Sequence, residues 1–236
     1  MASVVIKNWD NKTWLSSKNY INSFNKFLIT NLNINSKSKI LDIGCGRGKI
    51  LGSLSSKLRL KKKPLGIDII NHKDKDKRIK FRKINVINFF RINKEKFDFI
   101  LIKQTIHLIN LKEIKKILHR LKKRLNPGGK ILIFTLDTGK NEIPTFKTMK
   151  IKLNKSLERD KKILKLITKL FPGRIKKKFI YNVEIDKKKY LDMIKNRYIS
   201  TLISLSKKQI YSGIQEINQK YKNTLKFKDK LICIIL

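Results

Sequence analysis

The chain has 236 residues, with 58 Lys and Arg against 17 Asp and Glu and a formal net charge of +41. That is enough length for one well-buried α/β domain and short for two. Two cysteines and three scattered histidines exclude a disulfide framework and give no zinc-ligand spacing, so no metal is expected. No apolar run reaches the length of a membrane span, and the first ten residues lack the apolar core of a signal peptide, which points to a cytoplasmic protein away from membranes. The charge alone suggests a polyanion partner, because lysines that neutralise phosphates release counterions. Lys, however, supplies 48 of the 58 basic residues and Ala occurs once, the drift of an AT-rich coding sequence. A nucleic-acid partner is therefore the less favoured reading, and nothing in the sequence sets an oligomeric state.

In chain order, residues 8–30 place Tyr20, Phe24 and Phe27 on one face of a helical segment, with Trp14 before them. Lys39–Ile43 then reads as a buried strand that breaks into Gly44, Gly46 and Gly48, and helical spacing resumes at Ile50, Leu51, Leu54 and Leu58. Such a turn lets backbone approach a ligand closely. Against the dinucleotide fingerprint G-x-G-x-x-G, the third glycine comes one residue early. Asp42 also stands where a pyrophosphate would meet like charge, so a cationic ligand fits better. Pro64–Ile69 supplies the second strand, with Asp68 at its carboxyl end, where open sheets bind ligands and an acid can accept from a ribose diol. The third strand, Ile79–Ile84, is followed by Asn85 and Val86. The fourth is Phe97–Ile102, and Lys103–His107 begins the turn and helix after it. His107 suits a general base or a packing histidine equally. A helix over 111–125 stops at Asn126-Pro127-Gly128-Gly129, and strand five covers Lys130–Leu136. Residues 137–178 read as irregular helix. Strand six covers Phe179–Ile185, Asp186 caps a helix to about Asn196, another helix runs near Ser206–Tyr221, and Leu231–Leu236 forms the last strand.

The series Asp42-x-Gly44-x-Gly46-x-Gly48 resembles the first motif of class I S-adenosylmethionine (SAM) dependent methyltransferases. Phe97-Asp98 with His107 resembles that family's fourth-strand motif, and Leu125–Ile133 its turn into strand five. The resemblance implies an α/β fold: a Rossmann-like, doubly wound, seven-stranded, mostly parallel sheet with an antiparallel last strand. It implies one domain, with N-terminal lid helices over 1–35, a SAM-binding core over 36–136, a helical cap insertion with strand six over 137–228, and the last strand over 229–236. SAM, leaving as S-adenosylhomocysteine, would be held by Asp42, Gly44, Cys45, Gly46 and Gly48, by Asp68 and Ile69 at the ribose, and by Asn85 and Val86 at the adenine. Lys103 and Tyr20 would lie alongside. Asn85 departs from the aspartate common in the family, though its side-chain oxygen still accepts from an amine. His107 and Tyr198 are the candidate catalytic residues, with Tyr181 a further pocket candidate.

Methyl transfer is an in-line displacement that positioning and desolvation can carry without a triad. The residues after strand four, Ile102-Lys103-Gln104-Thr105, lack the Asn/Asp-Pro-Pro-aromatic motif of enzymes acting on nucleobase amines, and no cysteine follows strand four or five for covalent attack on a pyrimidine. A small-molecule acceptor (thiol or sulfide, carboxylate, amine or hydroxyl) is thus the expected substrate. RNA or protein methylation by the Lys-rich surface is the alternative, and a catalytically idle SAM-binding module the third reading.

Overall fold

The computed structural model describes residues 12–139 and 141–236. The first residues of the expected N-terminal helical segment, 8–11, lie outside that range. The segment that follows is two pieces: a single 3-10 turn, Trp14–Ser16, and then α1 (Lys18–Asn31), separated by Ser17, whose hydroxyl accepts from the Tyr20 amide as N-cap.

The remaining elements alternate. They are β1 (Ile40–Ile43), α2 (Lys49–Leu58), β2 (Leu65–Asp68), β3 (Lys80–Lys83), α3 (Val86–Ile92), β4 (Phe97–Lys103), α4 (Leu111–Lys122), β5 (Leu125–Leu136), α5 (Lys147–Leu170), β6 (Ile175–Asp186), α6 (Lys187–Lys195), α7 (Lys207–Lys220) and β7 (Thr224–Ile235). The sheet order is β3-β2-β1-β4-β5-β7-β6. β1 to β5 pair in parallel, and β7 is antiparallel to both β5 and β6, so six strands share a direction and β7 opposes them. The expected sheet is therefore present. The strands nearest the middle of this sheet are buried on both faces, which is why Ile40–Ile43 and Phe99–Ile102 read as continuous apolar runs.

Each face has its own core. Tyr20, Phe24 and Leu28 of α1, Leu51 and Leu54 of α2 and Met193 and Ile194 of α6 share one cluster. Phe89 and Phe90 of α3, Ile114, Ile117, Leu118 and Leu121 of α4 and Ile163 and Ile167 of α5 share the other. The long α5 joins them, because Met149 at its start belongs to the first cluster.

Three boundaries differ from the sequence reading. Asn126-Pro127-Gly128-Gly129 does not separate a helix from a strand: β5 already starts at Leu125, and the four residues form a bulge where the pairing jumps from Phe97↔Leu125 to Phe99↔Lys130. Gly128, at φ +74°, permits that excursion. His107 sits in a 3-10 turn, Ile106–Leu108, and α4 begins later, capped by Asn110. The last two strands are both longer than expected, and this extension shapes the molecule. β7 pairs with β5 only through Leu231–Ile235 but with β6 along its whole length, Thr224–Ile235. Residues 180–186 and 224–230 therefore project past Leu136, the end of β5, as a two-stranded arm over the carboxyl edge of the sheet. α6 and α7 connect its tips. Trp14 anchors the N-terminal segment to the arm: its indole N–H donates to Asp229 Oδ2 at 3.0 Å, and its ring meets Phe227 edge-on at 5.1 Å.

Candidate active site

β1 ends at the carboxyl edge of the sheet in a loop with three left-handed glycines, φ +71° at Gly44, +55° at Gly46 and +71° at Gly48. L side chains rarely adopt this conformation. Space is also closed at two of them: a Cβ on Gly44 would stand 2.3 Å from Thr105 Oγ1, and one on Gly48 2.1 Å from Ile79 Cδ1. The loop is stitched to β2, since the Gly44 and Cys45 amides donate to the Ile67 carbonyl at 2.8 and 3.1 Å. Cys45 packs over Gly66, where a Cβ would come within 2.7 Å of Sγ. Gly48 then caps α2, aiming the first amides of that helix along the same edge.

The expected donor-site residues gather around this loop. Asp68, the last residue of β2, accepts from the Gly46 amide at 2.8 Å and from the Ile70 amide at 2.9 Å, so its carboxylate holds the loop while keeping lone pairs for a diol. Ile69 beside it is 63% exposed, an apolar platform at the mouth. Asn85 caps α3 by accepting from the Asn88 amide at 2.8 Å. One Oδ1 lone pair therefore remains for a ligand amine, and the Val86 amide, in the first turn of α3, has no acceptor within the helix. Asp98 is a brace, accepting from the Lys39 amide and from Asn126 Nδ2.

Asp42 is the unusual group. It is buried, its Oδ1 has no hydrogen-bond partner, and its pKa is pushed up to about 7, first by burial, with Lys103 opposing and Asp68 adding to the rise. A buried carboxylate oxygen without a donor is costly unless a ligand supplies one. A cationic amine at this point fits the SAM expectation.

Lys103 closes β4 next to the loop. Its Nζ lies 5.1 Å from the Tyr20 ring centre and 5.4 Å from that of Phe24, and it donates to Gln104 Oε1 at 3.1 Å. Burial pulls its pKa down to about 8, against the pull of Asp229 and Asp42. Tyr20 is fully buried, with its hydroxyl unpartnered. Its ring meets Tyr181 of β6 at 5.0 Å, nearly edge-on. Tyr181 in turn lines a cavity of about 730 Å³ under the arm, walled also by Trp14, Ser17, Glu184, Asp192 and Tyr198. The two polar pocket candidates, Tyr181 and Tyr198, thus lie in one cavity, and Tyr20 stands between Tyr181 and Lys103.

His107 stands elsewhere. It faces Asp160 and Arg159 of α5, and burial lowers its pKa while Asp160 opposes that shift. Asp160 is itself buried, with its carboxyl pKa raised. The two candidate catalytic residues, His107 and Tyr198, therefore occupy different surroundings. Asp229 was not anticipated from the sequence. The signal was present: in the β7 alternation, Leu225, Phe227, Asp229 and Leu231 occupy the inward positions, and a carboxylate there breaks the apolar pattern.

Among the described residues no cluster of three or more His, Cys, Asp or Glu could hold a metal ion, and no helix is long and apolar enough to cross a membrane.

A family of methyltransferase domains matches residues 34–229. No curated protein matches the chain in sequence. Among solved structures, a putative methyltransferase from an antibiotic biosynthesis pathway of Anabaena variabilis is similar over 89% of this chain and 95% of its own, at 14% identity and a TM-score of 0.62. A SAM-dependent methyltransferase from Thiobacillus denitrificans, crystallised with S-adenosyl-L-homocysteine, is similar over 98% of both chains, at 16% identity and a TM-score of 0.54. The plantazolicin methyltransferase BpumL, in complex with a desmethylplantazolicin analogue and S-adenosylhomocysteine, covers 97% of this chain and 86% of its own, at 17% identity and a TM-score of 0.54.

Proposed function

Since the chain belongs to the methyltransferase domain family, we propose that it transfers a methyl group from SAM to a small molecule enclosed beneath the β6–β7 arm. The observation that carries this reading is the buried carboxylate of Asp42 beside the glycine loop, whose Oδ1 has no donor. A cavity of about 730 Å³, the size of a small-molecule pocket, lies across the Tyr20–Tyr181 ring pair from it. Asp42 Oδ1 meets the amine of the bound methyl donor, Asp68 its ribose diol, and Asn85 with the Val86 amide its adenine edge. The left-handed glycines keep side chains out of that path. Bound SAM supplies an activated methyl with a neutral leaving group. The protein supplies position, and the arm with the Trp14 segment excludes water from the point of transfer. The S-adenosylhomocysteine found with the similar Thiobacillus denitrificans and BpumL enzymes supports this donor, and BpumL's bound analogue supports a small acceptor.

The test is incubation with methyl-labelled SAM and a fractionated cell extract, before and after nuclease and protease treatment. Label should appear in a low-molecular-mass product that resists both treatments. Label confined to a digestible macromolecular fraction would overturn the small-molecule reading in favour of RNA or protein.

A further inference from the structure

We propose that Lys103 is the proton acceptor at the point of methyl transfer, and hence that the acceptor atom is a hydroxyl oxygen or an amine nitrogen, which must shed a proton. The inference rests on the donor site proposed above and goes on to name a catalytic group and an acceptor class.

Register places Lys103 directly beyond Ile102, which pairs with Ile43 of β1, so its side chain starts level with Gly44. From there the stem passes the Tyr20 and Phe24 rings towards the aromatic partition between loop and cavity. Charged and titratable groups meet it from three elements: Asp42 of β1, Asp229 of β7 and the Tyr20 phenol of α1. Three of the atoms around it are buried without a hydrogen-bond partner: Asp42 Oδ1, Asp229 Oδ1 and Tyr20 Oη. That many unpaired polar atoms at one point is expensive in a purely structural core, and it marks a space to be filled by polar ligand groups.

A sulfonium held near Lys103 disfavours the ammonium form by like-charge repulsion, so donor binding leaves a neutral amine when the acceptor arrives. In the transfer step the acceptor's lone pair forms the bond to the methyl carbon. The carbon–sulfur bond breaks with its electron pair passing to sulfur, and the acceptor's proton passes to the Lys103 Nζ lone pair, from which water removes it. A thiolate or carboxylate acceptor would need no such base. The contributions of general bases, about a hundredfold and larger, make this the group whose loss should be felt most in turnover.

Binding of SAM and of S-adenosylhomocysteine, compared by calorimetry from pH 9 to pH 7, tests the placement. The two ligands share the amine that meets Asp42 and differ at sulfur, so the ratio of their Kd values isolates Lys103. In the wild type, SAM should weaken about tenfold relative to S-adenosylhomocysteine as the pH falls through 8. Lys103→Met should flatten the ratio, and Lys103→Arg should fix it in favour of S-adenosylhomocysteine throughout. A ratio that does not change with pH in the wild type overturns the proposal without recourse to any variant. Binding of neither ligand overturns the donor reading and this one together. With the low-molecular-mass fraction that takes label, turnover should fall at least a hundredfold in Lys103→Met and lose its rise through pH 8, with no rescue by Lys103→Arg. The transferred methyl should survive alkali. Release as methanol, the mark of an ester, would overturn the acceptor class.

Discussion

Replacing Asp42 with Asn should change the stability of the free protein in opposite directions at low and high pH. The carboxyl titrates near 7 in the fold against 3.8 in the unfolded chain, a rise of about 3 units, equivalent to about 4 kcal/mol. Because the folded pKa is raised, the neutral carboxyl costs nothing extra below pH 3.8, and stability is lost steadily as the pH climbs towards 7. The amide carries no such charge, but it buries two donors that the site does not pair, at about 1–3 kcal/mol. Near pH 4 Asp42→Asn should therefore be the less stable protein. At pH 8 it should be the more stable by about 1–3 kcal/mol, read from urea unfolding at both pH values. SAM should reverse the order at pH 8, since its amine pairs with the carboxylate and not with the amide, and thermal shift in saturating SAM should favour the wild type. A stability difference that is the same at pH 4 and pH 8 would refute the buried, unpartnered state assigned to Asp42.

Gly48→Ala forces a Cβ into Ile79 at positive φ and should destabilise the fold by at least about 1–2 kcal/mol while weakening SAM binding, both measurable by thermal shift with and without ligand. Trp14→Phe keeps the packing on Phe227 but leaves Asp229 without its donor. It should lower stability by about 1–3 kcal/mol in urea unfolding. Tyr198→Phe should raise KM for the acceptor and leave the SAM Kd unchanged by calorimetry, and an altered SAM Kd would remove Tyr198 from the acceptor side. Ser206→Ala deletes a capping box closed by Gln209 and should cost about 1 kcal/mol with no effect on SAM affinity.

The glycine turn and the carboxylates beside it were legible because their geometry is local. Asp42 to Gly48 spans a single turn, and Asp68 follows at the end of the next strand, so β-strand patterning and glycine spacing were enough. The arm was harder. Lys176, Lys177 and Lys178 at the start of β6 hide a strand whose outer face meets water, and residues 224–228, left in the cap insertion by the sequence reading, alternate polar and apolar with the period of two that marks a strand. Lys103 was placed beside the cofactor, yet its relation to Asp229 depends on two residues that meet only after β7 has folded back past β5. No window along the chain contains that contact. His107 illustrates the converse: a histidine in a familiar place, which the fold turns towards Asp160 on α5.

The two outermost strands give the high charge a structural use. β3 exposes Lys80, Arg82 and Lys83, and β6 exposes Lys176 and Lys178 between Ile175 and Ile180, each of these isoleucines about half exposed. An open sheet ends in unpaired amides and carbonyls that invite a second chain to add on, and exposed isoleucine strengthens the invitation. Here a second copy could zip onto either border only by stacking rows of ammonium groups about 5 Å apart, a repulsion that lasts as long as the ionic strength is low. The basic side chains at the sheet's margins thus oppose the edge-to-edge addition that an open sheet otherwise invites, and added salt should weaken that opposition.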